Sequence, residues 1–290
     1  MIELPHSERV YSGHLACPGC GAVIAMRFLL KGLGERVIVV IPACCWSIIG
    51  GPYPNTALEV PVLHVPFETA GAVASGVRRA LAAKGDDETT VVAWAGDGGT
   101  FDIGLQSLSG AAERDEDILY VCYDNEAYMN TGVQSSGATP RGTWTTTTPT
   151  SRPKQTRKKD IIQILAAHRI PYAATASIAY PEDLVHKVQK AARIRGTKFL
   201  HIYAPCPTGW KVPSEISVKL ARMAVQCNSF PLYEVEDGVR YTLNQRPVGY
   251  LVDEYYKLQG RFKHLSPGDL ERIQKEVDAQ WKRMEKLSEG

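Results

Sequence analysis

Four short apolar runs constrain the fold of this chain more than any other feature of its sequence. Each run is rich in β-branched residues and is bounded by polar or turn residues, and they cover residues 37–41, 90–95, 118–123 and 198–204. Strands that are apolar on both faces are typical of a parallel sheet covered by helices. The runs therefore predict buried, central strands.

Helical patterns lie between these strands, at residues 22–33, 68–84, 105–114 and 181–195. The second ends at Gly85, a residue type suited to a C-terminal cap, and the fourth opens with a proline and two acidic residues. Strands that alternate with helices indicate a doubly wound α/β fold, with a mostly parallel sheet and helices on both faces. Ligands of such folds bind beyond the carboxyl ends of the strands.

Composition excludes several classes of protein. The chain has 290 residues, of which 44% are hydrophobic and 22% charged, as is usual for a folded globular protein. A net charge of +2 gives no reason to expect nucleic acid or an anionic membrane as a partner. The sequence has no apolar stretch of about 20 residues and no secretory signal at its N-terminus. We therefore expect a cytoplasmic protein.

Two regions depart from the alternating pattern. Residues 135–159 are rich in Ser, Thr, Pro and Arg and are too long for an ordinary connection, so either a functional, ordered loop or a mobile surface loop is expected. After Pro213 the pattern gives helical segments at 216–227, 248–258 and 267–287 but no further strong strand. We therefore divide the chain into a main domain, 1–219, and a helical, partner-facing extension, 220–290.

Polar clusters follow two of the predicted strands. Gly96-Asp97-Gly98-Gly99 comes directly after one, and Asn125 follows the next strand along the chain. Glycines let the backbone approach a phosphate closely, and the amides at the following helix start add partial positive charge. The Asp97 carboxylate suits Mg²⁺, which prefers oxygen ligands and often bridges to phosphates. The sequence thus predicts a magnesium–diphosphate site at one sheet edge.

This arrangement resembles the signature of thiamine-diphosphate enzymes, in which an Asn follows Gly-Asp-Gly after just under thirty residues. The resemblance implies that Asp97 and Asn125 bind Mg²⁺ together with the backbone carbonyl of Ala127. The residues that it places around the cofactor are Gly96, Gly98, Gly99, Asn130 and Thr131.

Seven cysteines need a separate explanation: Cys17, Cys20, Cys44, Cys45, Cys122, Cys206 and Cys227. An odd number in a cytoplasmic protein argues against a disulfide framework. Cys122 lies inside an apolar run and is expected to be a small buried hydrophobe. Cys17 and Cys20 form a CxxC motif, which Cys44 or Cys45 together with Cys206 could complete to four thiolates. Four thiolates suit either zinc or a [4Fe–4S] cluster.

Five motifs occur together: CPGCG, GDGGTFDIGLQSLSGA, CYDNEAYMNTGVQSSGATPRG, TTTTP and APCPTGW. Together they resemble the β subunit of the 2-oxoacid:ferredoxin oxidoreductases of the pyruvate synthase type, from about Gly13 to Trp210. The resemblance implies one [4Fe–4S] cluster on Cys17, Cys20, Cys45 and Cys206. It favours Cys45 over Cys44 as the third ligand, because Pro42-Ala43-Cys44-Cys45 is similar to the family's Pro-Thr-Gly-Cys, whose last residue is the ligand. Cys227 lies outside these motifs and is expected to be structural.

The resemblance also implies an activity. The thiamine carbanion adds to a 2-oxoacid, CO₂ leaves, electrons pass through the cluster to ferredoxin, and the acyl group usually passes to coenzyme A. The activating glutamate is expected on a partner subunit of the α, γ or δ type, and Asn130 with residues 134–139 on the substrate side. Alternatives are a non-redox thiamine decarboxylase and a non-catalytic cluster scaffold.

Two departures from the family pattern leave the substrate open. Ala22 stands where pyruvate enzymes often have an acidic residue, and Trp46 follows the third cysteine. Pyruvate is the first expectation, with oxalate and branched-chain or aryl 2-oxoacids as alternatives.

Other polar residues have structural interpretations. His64 is expected in the core, and Glu68 either caps a helix or enters the pocket. A run of basic residues is expected to be a solvated surface, although it could steer an acidic ferredoxin or contact coenzyme A phosphates. The run comprises Arg152, Lys154, Arg157, Lys158 and Lys159.

Overall fold

One sheet with parallel central strands organises the computed structural model, which describes residues 4–289. Its strands in that range are β1 (Val37–Pro42), β2 (Val62–Val65), β3 (Thr90–Gly96), β4 (Leu119–Asp124), β5 (Tyr172–Ser177), β6 (Lys198–Tyr203), β7 (Tyr233–Glu236) and β8 (Arg240–Leu243). Their spatial order is β2-β1-β3-β4-β6-β5-β7-β8. The first six run parallel, whereas β7 pairs antiparallel with β5 and β8 pairs antiparallel with β7.

Helices connect and cover these strands. Their bounds are α1 (Gly21–Gly32), α2 (Trp46–Ile49), α3 (Ala70–Ala83), α4 (Leu105–Glu113), α5 (Ile161–Ala167), α6 (Pro181–Arg193), α7 (Pro207–Trp210), α8 (Ser217–Gln226), α9 (Val252–Tyr256) and α10 (Pro267–Ser288). The long α10 begins sharply because Ser266 and Asp269 form a capping box and Pro267 occupies the first helical position.

Two apolar cores lie on opposite faces of the sheet. Along β3, Val92 and Trp94 pack into the core that contains Leu29 of α1, while Val91 and Ala93 pack into the core on the other face. The first core also takes side chains from α6 and α8, and the second from α3, α4 and α5. Burying one such aliphatic side chain contributes about 1.5–3 kcal/mol. The predicted doubly wound fold with helices on both faces is confirmed.

All four predicted strands and the four helices predicted between them are present, with small shifts at their ends. The three helical segments predicted after Pro213 correspond to α8, α10 and the shorter α9. The helix predicted from residue 68 begins at Ala70, and Glu68 is exposed before it. Cys122 is buried, as expected, and Cys227 is buried as well. The expectation for His64 is wrong, because it lies exposed in the edge strand β2, which the sequence analysis missed.

The C-terminal region contributes to the sheet as well as to the helical layer. The hairpin β7–β8 extends the sheet beyond β5, so the expectation of no further strand after Pro213 is wrong. The proposed boundary at residue 219 falls inside α8, and the division into two domains stays a prediction. Within residues 4–289, the structure has no helix that is both long and apolar enough to cross a bilayer.

Candidate active site

The two predicted polar clusters meet at the carboxyl edge of the sheet. Gly96 at the end of β3 pairs with Tyr123 near the end of β4, so Asp97 and Asn125 leave the sheet side by side. Both side chains are buried. The Asn125 amide reaches to 3.0 Å from Asp97 Oδ1 and 2.9 Å from the Ala127 carbonyl oxygen. The structure therefore brings all three predicted metal ligands together.

This arrangement fits Mg²⁺. The Asn125 side-chain amide can take two orientations here. In one, its oxygen faces Asp97 Oδ1 and the Ala127 carbonyl, so that three acceptor oxygens face one another. In the other, its NH₂ group donates hydrogen bonds to Asp97 Oδ1 and to the Ala127 carbonyl. In an octahedral shell with Mg–O bonds of about 2.1 Å, neighbouring ligand oxygens are about 3 Å apart. A cation among the three oxygens would remove the repulsion that otherwise turns the amide over.

Asp97 is held from its other side by the loop 135–159. Its Oδ2 accepts a 2.5 Å hydrogen bond from Ser136 Oγ. Burial and the neighbouring Asp124 carboxylate together raise the pKa of Asp97, although the Ser136 hydrogen bond opposes this. A divalent cation would favour the ionised carboxylate.

Asp124 lies beside the ligand pair in a buried network of charged groups. Burial alone would raise its pKa, but Lys158 and His201 outweigh that effect and lower it. His201 Nε2 lies 2.7 Å from Asp124 Oδ2, and Lys158 contacts both Asp124 and Glu126, the latter at 3.1 Å. Burial lowers the pKa of His201. The network anchors the end of β4 immediately before Asn125.

The basic run is only in part the solvated surface that was expected. Arg152, Arg157 and Lys159 are exposed, whereas Lys154 is buried and Lys158 is half-buried. Lys154 is buried, donates to the Ser136 carbonyl at 2.6 Å, and has its pKa lowered by burial to about 8. Lys158 joins the Asp124 network, and Lys159 donates to Asp102 Oδ1 at 2.6 Å. Lys158 and Lys159 thus tie the loop 135–159 to the sheet edge, and Lys154 closes the loop on itself, which supports the interpretation of that loop as ordered and functional.

The glycines after β3 allow close packing. A Cβ on Gly98 would lie 2.2 Å from the Tyr128 ring, and one on Gly99 would lie 3.2 Å from Phe67. The Tyr128 hydroxyl donates to Asp102 Oδ2 at 2.7 Å, which fixes the ring over Gly98. The described contacts of Gly98 are therefore to this ring, and its predicted diphosphate contact stays a prediction.

Asn130 and Thr131 lie exposed in the turn that follows Ala127. Thr131 donates through Oγ1 to Gln134 Oε1 at 2.6 Å, and Gln134 returns a bond to the Thr131 carbonyl at 2.7 Å. These bonds close the turn beside the predicted metal ligands. The roles of Asn130 and Thr131 toward the cofactor stay predictions.

Three of the four predicted cluster cysteines stand at helix starts. Cys20, Cys45 and Cys206 are the N-caps of α1, α2 and α7. The CxxC turn closes through a 3.1 Å bond from the Cys20 amide to the Cys17 carbonyl, with Gly19 at φ +71°. The backbone N–H groups at a helix start carry partial positive charge, which favours a negatively charged group there.

The CxxC turn is packed directly onto the end of β6. The Gly21 amide donates to the Pro205 carbonyl at 3.1 Å. A Cβ on Gly21 would lie 2.7–2.8 Å from the backbone of Ala204 and Pro205, so only glycine allows this approach. The sequence thus brings Cys20 and Cys206 to one place through backbone contact.

Cys20, Cys45 and Cys206 pack against the same apolar core and affect one another's pKa. Burial first, and then Cys44, Cys206 and Cys20, raise the pKa of Cys45 to about 12. Burial and the nearby Cys20 and Cys17 raise the pKa of Cys206 to about 11, against a lowering hydrogen bond from the Gly209 amide. Such thiols stay protonated unless a metal group supplies positive charge.

The neighbourhood of Cys45 favours it over Cys44 as a ligand. Burial is the largest cause of the raised pKa at both residues, but Cys45 is also affected by Cys44, Cys206, Cys20 and Asp97, whereas the Cys44 thiol interacts with Tyr123 and Ser47. The coupling to Asp97 also places the cysteines next to the candidate metal site. Among residues 4–289, however, no group of three or more His, Cys, Asp or Glu side chains is arranged as a ready-made metal site. The four-cysteine set stays a prediction.

Comparison with known proteins agrees with this geometry. Residues 45–202 match the thiamine pyrophosphate enzyme C-terminal TPP-binding domain. The chain is 51% identical to the ketoisovalerate oxidoreductase subunit VorB of Pyrococcus furiosus, an alignment that covers 99% of this chain and 96% of that protein. It is 50% identical to the pyruvate synthase subunit PorB of Methanothermobacter marburgensis, with 96% and 98% covered. The chain belongs to the 2-oxoacid:ferredoxin oxidoreductase β-subunit family.

This β subunit is thus part of an oxidoreductase that depends on thiamine diphosphate. A solved 2-oxoglutarate:ferredoxin oxidoreductase from Magnetococcus marinus has the same fold, with a TM-score of 0.59 at 21% identity over 77% of this chain and 84% of that one. The family assignment, the fold class and the thiamine-diphosphate cofactor expected from the sequence are confirmed.

Several residues of this β subunit's site were missed by the sequence analysis. Trp210 donates from Nε1 to the Asn125 carbonyl at 2.8 Å, and the Arg261 guanidinium lies 3.8 Å above the Trp210 ring. Trp210 stands in the APCPTGW motif, which could have pointed to it. Ser136 lies in the stretch 134–139 that was expected on the substrate side, but its bond to Asp97 was not expected. Nothing in the sequence pointed to Arg261, because it lies in the extension, far along the chain from every motif.

Proposed function

We propose that this β subunit binds Mg²⁺–thiamine diphosphate at the β3–β4 edge and a [4Fe–4S] cluster beside it, and that it serves the oxidative decarboxylation of a small 2-oxoacid. The observation that supports this most strongly is the convergence of Asp97, Asn125 and Ala127 oxygens, within electrostatic range of Cys45. When bound, thiamine diphosphate supplies the carbanion and the electron sink of the reaction.

The metal would be held by Asp97, Asn125 and the Ala127 carbonyl, with the diphosphate and water completing its oxygen shell. Ser136 orients Asp97, and Trp210 orients the Asn125 backbone. The backbone around Gly96, Gly98 and Gly99 and the turn with Asn130 and Thr131 would then enclose the cofactor.

The cluster would be held by Cys17, Cys20, Cys45 and Cys206. Three of these residues start helices, and at one of them a backbone amide contacts the sulfur: the Gly209 amide donates to Cys206 Sγ at 3.4 Å. Hydrogen bonds to sulfur raise the reduction potential of iron–sulfur clusters. The site could thus accept electrons near the thiamine and pass them to ferredoxin.

Pyruvate is our first candidate substrate, and a branched-chain 2-oxoacid is the second. The relatives support both, since their names divide between pyruvate synthase at 50% identity and ketoisovalerate oxidoreductase at 51%. Ala22 and Trp46 are buried at the starts of α1 and α2, close to Cys20 and Cys45. They are the positions in this chain at which substrate size would be set.

The complete enzyme would need further subunits. Glu126, the glutamate beside the metal ligands, is bound to Lys158 and Arg261 and is not available to activate the cofactor. We therefore assign the activating glutamate to a partner subunit in the cytoplasmic complex, and the acyl group to coenzyme A. The isolated chain should show no 2-oxoacid oxidation, and activity should return when the partner subunits are added.

The native complex, purified without oxygen, provides the test. We expect thiamine diphosphate, magnesium and iron in it, and viologen reduction that depends on coenzyme A with pyruvate or 2-oxoisovalerate rather than oxalate, 2-oxoglutarate or an aryl 2-oxoacid. Thiamine without iron would indicate a non-redox decarboxylase, and iron without thiamine would indicate a scaffold. Either result would refute the proposal.

A further inference from the structure

Arg261 is a buried cation in the C-terminal extension that the proposed mechanism does not use. It lies in a 3₁₀ turn, Gly260–Phe262, and only 2% of its surface is exposed. One guanidinium nitrogen donates to Glu126 Oε2 at 2.5 Å, and Nε donates to Gln259 Oε1 at 2.9 Å. A charge buried this deeply is tolerated only when its partners are fixed, so the geometry around it is specified closely.

Its anionic partner lies within the candidate metal-binding turn. Glu126 stands between Asn125 and Ala127 and has φ +66°, in the left-handed region that non-glycine residues rarely adopt. The Glu126 amide donates to Asp124 Oδ1 at 2.8 Å, and its carbonyl accepts from Thr139 at 2.7 Å. The ion pair with Arg261 is one of the contacts that hold this conformation and, with it, the direction of the Asn125 and Ala127 oxygens.

The other face of the guanidinium contacts the cysteine side of the site. It lies 3.8 Å above the Trp210 ring, and Trp210 ends the short helix α7 that Cys206 begins. A Cβ on Gly260 would lie 2.6 Å from Lys211 Cβ, so the turn and α7 are packed without a gap. Trp210 in turn donates to the Asn125 carbonyl at 2.8 Å. Arg261 therefore touches both halves of the site.

The charge of Arg261 also lies near Cys206, because the guanidinium stacks on the last residue of the four-residue helix that Cys206 begins. Reduction adds a negative charge to a metal group, and a fixed cation in a low-dielectric surrounding stabilises that charge. A buried arginine keeps its charge at every accessible pH. Its effect on the reduction potential of a nearby metal group should therefore not change with pH.

We propose that Arg261 is a positioning residue that couples the two cofactor sites: it fixes the Asn125–Ala127 turn through Glu126, and its charge raises the reduction potential of the metal group on Cys206. This inference rests on the proposed function.

Two properties of the intact complex separate these roles. The midpoint potential of the cluster, followed by electron paramagnetic resonance, reports the charge, and the Kd for Mg²⁺ of the metal-depleted, thiamine-saturated complex reports the turn. In Arg261→Gln we expect a lower midpoint potential and a Kd for Mg²⁺ about tenfold higher, the usual effect of losing a supporting contact around a metal. In Arg261→Lys the potential should stay near that of the wild type while the Kd rises, since a lysine cannot both pair with Glu126 and stack on Trp210.

Arg78→Gln is the matched control. Arg78 is likewise buried, but it bonds to the Thr89 carbonyl at 2.9 Å, just before β3 begins and at the opposite end of the sheet from the site. It should leave both the potential and the Kd unchanged even where it lowers thermal stability. If Arg261→Gln does not assemble, Arg261→Met provides the charge-free variant, since its aliphatic chain still packs on Trp210.

Equal midpoint potentials in the wild type and the charge-free variant would overturn the electrostatic role, and an unchanged Kd would overturn the positioning role. Loss of all iron in the Lys, Gln and Met variants alike would show a purely structural residue and also overturn the proposal. A wild-type complex without iron or thiamine would instead refute the proposed function, which is a distinguishable result.

Discussion

The metal ligands depend on single supporting contacts, and Ser136 provides the shortest of them. Replacing Ser136 with Ala removes the 2.5 Å bond to Asp97 and leaves that buried carboxylate with one fewer donor. We expect the Kd for Mg²⁺ to rise roughly 10- to 100-fold in the thiamine-saturated complex, as metal sites do when a supporting residue is lost. Calorimetric titration of the metal-depleted complex measures this. Ser109→Ala, which removes a bond to His168 on another part of the surface, should have no effect.

Replacing Cys45 should affect the iron content of the complex, whereas replacing its neighbour Cys44 should not. Cys45→Ser should lose most of the iron of the complex, because Cys45 is the one coupled to Cys20 and Cys206. Cys44→Ser should keep the iron, since the Cys44 thiol interacts with Tyr123 instead. Iron content and the visible absorption spectrum distinguish the two. Iron retained in Cys45→Ser and lost in Cys44→Ser would reverse our assignment.

Site residues could be predicted where a side chain suited to the chemistry directly follows a recognisable strand. Asp97 and Asn125 follow buried apolar runs, and the parallel sheet then brings them together. Lys154 and Lys158 could not be placed, because a run of positive charge has the same sequence whether it faces water or buried oxygen atoms. The Ser136 carbonyl and the Asp124 carboxylate receive these two lysines, and only the fold shows where those groups lie.

Close packing between structural elements leads to a prediction about two glycines. Gly21 begins α1 against the backbone of Ala204 and Pro205, whereas Gly76 lies exposed in α3 with nothing near its Cβ position. Gly21→Ala should displace the CxxC turn and lower both thermal stability and iron content. Gly76→Ala should stabilise the protein by about 0.5–1 kcal/mol, because alanine favours a helix more than glycine does. Thermal melts of both variants test this, and a harmless Gly21→Ala would contradict it.

Elements with a strong pattern were predicted, and short or small-residue elements were not. The sequence of β5, Tyr-Ala-Ala-Thr-Ala-Ser, has little intrinsic strand preference and is a strand because it pairs with β6 and β7. The strands β7 and β8 have only four residues each, too few to show a period. In these cases tertiary pairing decides what local sequence leaves open.

At the scale of the whole molecule, the extension shares one sheet and one core with the rest of the chain. The side chains of Leu220, Phe262 and Ile273 lie in the same apolar core as those of α1 and α6. We expect a chain that ends at residue 219 to lack a cooperative thermal transition, since it loses the β7–β8 hairpin and the Arg261–Glu126 pair. Removing only residues 288–290 should leave the transition intact. A cooperative melt of the 1–219 fragment would support two separate domains instead.

The proposed cluster ligands are distant in sequence and meet only in the folded sheet, where Cys206 follows β6 and the CxxC turn rests on it. A ribosome releases Cys17, Cys20 and Cys45 well before Cys206. Because β6 lies between β4 and β5, the fourth ligand reaches its place only when β6 has joined the sheet between them. Iron insertion would thus be a late step of maturation, and three unpartnered thiols would have to survive translation in reduced form. On this basis, oxygen would harm the enzyme during its synthesis as well as after its assembly.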